Sequence, residues 1–268
     1  MTRKPFDELT IADDFMFCKV MEDESLCKTF LELLLTGKVG KITYLSSQNA
    51  VTTHSEAKSI RLDVLVKDET GKSYDVEMQV GNEHNLPKRM RYYQAALDVS
   101  FLDQGYSYQT LNDSYIIFIC LFDPIGSNRA VYSFENICIE DTSIPLQDGT
   151  KKIILNAGAF EQTDNHELQG FLRYVKTGEL TTDYTKRIES MIQTVKMSEQ
   201  ARQEYRFKSA VIMDAEDRGL ERGLAEGEAR GSRQKALETA RLMMQRNYPV
   251  SEICLMTGLT KEDVESIQ

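Results

Sequence analysis

Tryptophan is absent from the 268 residues, and histidine occurs only at His54, His84 and His166, far apart. That scatter argues against a histidine-rich metal site and against a nucleophile activated by histidine. Cysteine is sparse too. Cys18, Cys27, Cys120, Cys138 and Cys254 are an odd number, widely spaced and without a CxxC pair. The pattern points to reduced thiols in a cytoplasmic protein rather than to a disulfide framework or a zinc site. No apolar run is long enough to cross a bilayer, so no membrane association is expected. The opening Met1-Thr-Arg-Lys-Pro5 is not followed by an apolar core, and no secretory signal is expected.

Positive charge is also in short supply. The formal net charge is −10, which argues against bulk, non-specific nucleic-acid binding but leaves room for a local basic groove. The charge is uneven. Residues 196–246 hold 11 Lys/Arg and 9 Asp/Glu, about +2, so the remainder carries about −12.

What is present is a change of hydrophobic period along the chain. Asp7–Met21 and Glu24–Thr36 read as helices. The first is capped by Thr10 or Asp13 with Phe17, Val20 and Met21 inward, and the second stops at Gly37. Residues 39–54 suggest a strand followed by an irregular stretch. From Arg61 to Val80 the period is two, and from Leu86 to Asp103 it becomes about 3.6, with Pro87 in the first turn and Gly105 past the end. Met90, Tyr93, Leu97 and Phe101 form the expected inward stripe of that helix. Arg89, Tyr92 and Gln94 are expected to point elsewhere. Ser114–Phe122 is a continuous apolar run between Asp113 and Pro124, the pattern of a strand buried on both faces. Val131–Ile139 and Lys152–Asn156 are further strands, and from Asp164 onward the chain reads as helical. The order predicts an α/β fold with a mixed sheet flanked by helices.

The hairpin Arg61–Val80 carries the chemistry. A three-residue loop Glu69-Thr70-Gly71, with Gly71 left-handed, sets Asp63 directly opposite Glu77. Leu62, Val64 and Val66 then share a face with Val76, Met78 and Val80. The other face carries Asp63, Glu77 and Gln79. Facing carboxylates repel. Either water screens them on a solvated face, or a cation lies between them. In the second case Asp63, Glu77 and the Met78 backbone carbonyl suit Mg²⁺, which takes oxygen ligands, with Mn²⁺ as a substitute. Gln79 would orient the attacking water. Lys88, Arg89 and Arg91 on the next helix would hold phosphate oxygens of DNA, and Tyr92 would stack on a base or sugar.

Asp63 and, after the turn, Glu77-Met78-Gln79 resemble the PD-(D/E)xK nuclease motif. The chain is more closely similar to the recombination-promoting nuclease / putative transposase (Rpn) family. The likeness rests on Asp14-Phe-Met-Phe-Cys-Lys19, Arg61-Leu-Asp-Val64, Gly71-Lys-Ser-Tyr-Asp-Val-Glu-Met-Gln79, Pro87-Lys-Arg-Met-Arg-Tyr-Tyr-Gln94, the strand Tyr115–Phe122 and the tail Ile253–Asp263. It implies a restriction-endonuclease-like core and a metal-dependent DNA endonuclease linked to recombination, mobile elements or defence. It makes Asp63 and Glu77 the metal-binding acids. Gln79 stands where the wider superfamily has Lys, and Leu62 where it has Pro. Asp14 is the candidate for an assisting acid on the N-terminal helix, and Gln94 a further candidate on the Arg/Tyr helix. The alternative is a catalytically inactive descendant that binds DNA or a partner.

Three segments are expected: a nuclease-like core over 1–160, a helical region and connector over 161–231, and a small helical tail over 232–268. Glycines recur at Gly219, Gly223, Gly227 and Gly231. Each costs roughly 1 kcal/mol in a helix, which favours a loosely helical charged connector. In the tail, Ala236–Arg246 and a helix from Val250 to Thr257, capped by Ser251, precede a third opened by Thr260 and Asp263 in capping-box style. The acidic third helix (Glu262, Asp263, Glu265) is ill suited to lie on phosphates. The tail is therefore read as an assembly module and the protein as a homo-oligomer.

Overall fold

A computed structural model describes residues 4–35, 39–51, 60–102 and 105–267. Two compact units are present, Met1–Gln203 and Glu204–Gln268.

The first unit begins with a 3-10 turn at Phe6–Glu8 and helix α1 (Asp14–Met21). The single helix expected from Asp7 is broken because Asp13 turns back on the chain. Its Oδ2 accepts the Thr10 N–H at 2.6 Å and the Thr10 hydroxyl at 2.9 Å. Helix α2 (Glu24–Leu34) starts at Asp23, whose carboxylate accepts the Leu26 N–H at 2.8 Å. Helix α2 ends at Leu34, with Leu35 extended, short of the expected Thr36. Gly37, the irregular stretch after Val51 that includes His54, and Asp103 lie outside the described residues.

Strands β1 (Ile42–Val51), β2 (Ile60–Asp68) and β3 (Ser73–Gln79) form an antiparallel meander. The turn between β2 and β3 is built as the sequence predicts. Gly71 has φ +87°, its N–H donates to the Asp68 carbonyl, and the Asp68 N–H donates to the Lys72 carbonyl. Asp68 Oδ1 accepts from the Thr70 N–H, the Thr70 hydroxyl and the Lys72 N–H. Its Oδ2 accepts the Tyr74 hydroxyl. One buried carboxylate thus fixes the loop length, and with it the register.

Helix α3 (Leu86–Phe101) carries the chain from β3 to β4 (Ser114–Cys120), which lies parallel to β3. Strands β5 (Val131–Phe134) and β6 (Thr150–Asn156) complete a six-stranded mixed sheet in the order β1-β2-β3-β4-β6-β5. Ile116 to Cys120 are fully buried, as the continuous apolar run requires. Leu86, Met90, Tyr93, Ala96 and Leu97 of α3 pack with Leu65, Ile116, Phe118, Cys120 and Ile154 of the sheet. Helices α4 (His166–Thr177) and α5 (Asp183–Met197) follow, and α1 packs on β1, β2 and α5. The fold is α/β and restriction-endonuclease-like, with an all-helical C-terminal region.

Helix α6 (Glu199–Gln245) runs without a break through all four periodic glycines and absorbs the expected separate helix Ala236–Arg246. A Cβ at any of the four would meet nothing within 4 Å, so each lies on an open helix surface. In the second unit, α7 (Val250–Thr257) and α8 (Lys261–Glu265) close on α6 through Ala240, Ile253, Leu259 and Val264. Pro249, not Ser251, stands at the N-cap of α7, and no side chain caps it. The Thr260–Asp263 capping box of α8 is present. The third helix, expected to run over Lys261–Gln268, ends at Glu265. Gln268 lies outside the described residues.

Candidate active site

The β2–β3 ladder is regular from the turn to the pair Val64–Val76 and then stops. The expected Asp63–Glu77 backbone pair is not part of the ladder, although the two residues still meet. Beyond Val64 the strands are joined by side chains instead of by backbone alone. The Asp63 N–H donates to Glu77 Oε1 at 2.8 Å, and the Met78 N–H donates to Asp63 Oδ2 at 3.1 Å. Ile60 and Leu62 join the same cluster as Leu65. The alternation expected to keep Leu62 with Val64 and Val66 therefore breaks at the fork, and Val80, expected on that apolar face, is exposed.

The solvated reading of the polar face fails. Asp63 is 8% exposed and Glu77 1%, too little for water to screen two charges. Burial, then the neighbouring Glu77 and Asp14 carboxylates, push Asp63 up to about 8. Burial pushes Glu77 up to about 7, against the pull of the Asp63 N–H and of Arg89.

Two elements close on the fork. From α1 comes Asp14, whose Oδ2 accepts from Arg61 at 3.2 Å and whose Oδ1 accepts from the Cys18 thiol at 3.5 Å. The same thiol also lies 3.4 Å from the Asp63 carbonyl, so its one S–H is shared between the two acceptors. Ligand atoms of Asp14, Cys18 and Asp63 lie within 4.8 Å of one another. From α3 comes Arg89. Its guanidinium donates to Glu77 Oε2 at 2.8 Å, to Gln79 Oε1 at 2.6 Å and to the Tyr93 hydroxyl at 3.0 Å. It also lies 5.1 Å and 5.0 Å from the ring centres of Tyr93 and Phe118.

Asp75 was not singled out from the sequence. It precedes Glu77 by two residues on the same strand, so it shares that face, and it is fully buried. Among the described residues no N–H or O–H satisfies either of its oxygens. Burial, then Glu77 and Asp63, hold it well above the ordinary carboxylate range. Strand parity alone was enough to find it.

The other sequence-derived candidates divide by position. Arg61, Lys88, Arg89, Tyr92 and Tyr93 line a cavity of about 450 Å³ with Ile60, Glu83 and Asn85. Arg91 is exposed and not among the lining residues. Gln94 lies elsewhere. Expected outside the inward stripe, it is buried, and its amide donates to the Ser114 hydroxyl at the start of β4 and to Asp98 at 3.4 Å. Glu77 pairs with Phe118 in β4, four residues or about 13 Å along the strand from Ser114.

The donor chemistry fits a hard divalent cation. Asp14 and Asp63 supply carboxylate oxygens close to one another beside the Cys18 thiol. Glu77 adjoins Asp63, and the buried acids exceed the local cations, Arg61 and Arg89. A family model described as PD-(D/E)XK nuclease family transposase matches residues 12–219. The chain belongs to that family. Membership makes it a nuclease-type hydrolase, for which the acid cluster is a candidate metal site. No curated protein and no solved structure matches the chain significantly. Among the described residues no helix is long and apolar enough to cross a membrane.

Proposed function

We propose that the protein is a Mg²⁺-dependent DNA endonuclease that serves recombination, mobile elements or defence. The observation that carries this reading is the buried Asp63–Glu77 pair, set face to face where β2 and β3 part. Buried carboxylates are costly unless paired, and Arg89 on Glu77 offsets only part of the charge gathered there, which supports a further cation at the site.

Asp63 and Glu77 would hold the ion, with Asp14 and the Met78 carbonyl as further oxygen donors. Mn²⁺ would substitute, having the same preference for oxygen ligands. When bound, the ion supplies Lewis acidity for phosphodiester hydrolysis. The residues around it bind and orient the substrate. Exposed Lys88 and Arg91 would meet phosphates. Arg89, expected to do the same, is instead held on Glu77 and Gln79, and Tyr92 at the mouth of the cavity offers a stacking face. Gln79, uncharged, adds no positive potential of its own. The proposed division of labour follows the chain: chemistry in 1–160, a helical region and charged connector in 161–231, and assembly into a homo-oligomer through 232–268. The free thiols accord with the cytoplasmic location read from the sequence.

The test is cleavage of supercoiled plasmid in Mg²⁺ by the native protein and by Asp63→Asn and Glu77→Gln. Nicking or cutting that disappears in both variants is expected. Cleavage that persists in both removes the assignment.

A further inference from the structure

The superfamily position expected to carry a lysine holds Gln79, and Gln79 is not idle. Its Nε2 donates to the Gly81 carbonyl at 2.6 Å, and its Oε1 accepts from Arg89 at 2.6 Å. Both ends of the amide are engaged, and the polarity of the two contacts leaves one orientation for it. Glu77 is equally committed. Oε1 takes the Asp63 N–H and Oε2 takes Arg89. The guanidinium spans two residues of β3 from a neighbouring helix, and the Tyr93 and Phe118 rings hold it in place.

We propose that Arg89 is a positioning residue, the resident counter-cation of the acid pair, and that Gln79 is its tether. A divalent ion seeking Glu77 Oε2 must compete with this guanidinium. Gln79 supplies the second acceptor that keeps the guanidinium at the site when the carboxylate is shared. The pair therefore sets metal affinity. A positive charge reaches the edge of the site from α3 rather than from the strand. Arginine suits this place because its planar fork serves two acceptors at once. Lysine would offer a single point.

The inference rests on the metal-dependent reading given above, and its readout is Mg²⁺ binding without DNA. Calorimetric titration of the full chain is made at alkaline pH, above the titration of Asp63 and Glu77, so that proton release does not obscure the result. Arg89→Met removes the competitor and should tighten Mg²⁺ roughly tenfold, about 1.4 kcal/mol. Gln79→Leu removes the tether, leaves the guanidinium to Glu77 alone and should weaken Mg²⁺ severalfold. Arg89→Gln, which keeps a neutral donor to Gln79, should behave like Arg89→Met and serves if the methionine variant does not fold. A merely structural role would move the Arg89 and Gln79 variants in the same direction. If the native chain takes up no Mg²⁺, the metal-dependent reading falls and this inference with it. If it does, but the two kinds of variant do not move in opposite directions, the inference alone is overturned.

Discussion

Asp63 and Glu77 are stitched together by more than facing charge: the Asp63 N–H donates to the Glu77 carboxylate, and the Asp63 carboxylate accepts the N–H of Met78, the residue after Glu77. Each acid is both a ligand candidate and a strut of the sheet, so its loss has two separable effects.

Asp63→Asn keeps an acceptor for the Met78 N–H but loses the charge. Cleavage should fall by at least about a hundredfold, the scale on which loss of one charged stabilising group acts. Asp63→Ala should lose cleavage equally and also strand a buried N–H, costing roughly 1–3 kcal/mol more in stability than the asparagine variant. Chemical denaturation of the two metal-free variants side by side measures the difference.

Stability should depend on pH in a direction opposite to the usual behaviour of carboxylates. Asp63 and Glu77 titrate near about 8 and 7 in the folded chain, above their ordinary values near 4. Between those limits the folded state holds more protons than the unfolded one, so the stability they contribute is full at low pH and is lost as pH rises. The metal-free melting temperature should therefore fall between about pH 5 and pH 8. Saturating Mg²⁺ should remove most of that fall, and Asp63→Asn should flatten it in part. A metal-free melt that rises across this range would refute the account.

Asp68→Ala should be among the most damaging changes away from the acids. It deletes four hydrogen bonds to Thr70, Lys72 and Tyr74 that fix the loop. A loss of about 2–4 kcal/mol is expected from the bonds and the unsatisfied donors. Cleavage should suffer beyond the loss of folded protein, because a slipped register no longer sets Asp63 against Glu77. Activity per folded molecule, measured well below the melting temperature, separates the two.

Assembly should reside in the second unit. A chain truncated after Gln203 keeps the Arg202–Asp7 ion pair of the first unit and should sediment as a smaller species than the full chain. Identical association states would place the contacts in the first unit.

Local chemistry made the hairpin readable from the sequence. Gly71 and a three-residue loop determine the register, and the register determines which acids face each other. The shift of period at Leu86 and the apolar run from Ser114 gave α3 and the buried strand for the same reason. Contacts between distant elements were not legible. Arg89 was expected to point away from the inward stripe and hold phosphate, yet it reaches two residues of β3. Cys18 looked like a free thiol, yet it touches Asp14 and Asp63. The break in alternation at Leu62 follows from the acids inserting between the strands, which no period-two pattern encodes. The four glycines suggested interruption. Propensity lost because the charged, alanine-rich residues around them sustain the helix.

The fork also limits how this chain could lose its activity. Replacing Asp63 or Glu77 with an apolar residue leaves a backbone donor stranded inside the sheet, so the fold itself selects against that path. Asparagine or glutamine would silence the chemistry while still accepting the same N–H groups. A descendant kept only for binding or assembly should therefore carry amides at these two positions, or else a β2–β3 ladder closed past Val64 with its neighbours repacked. The signature of a retired copy would be an amide rather than an alanine.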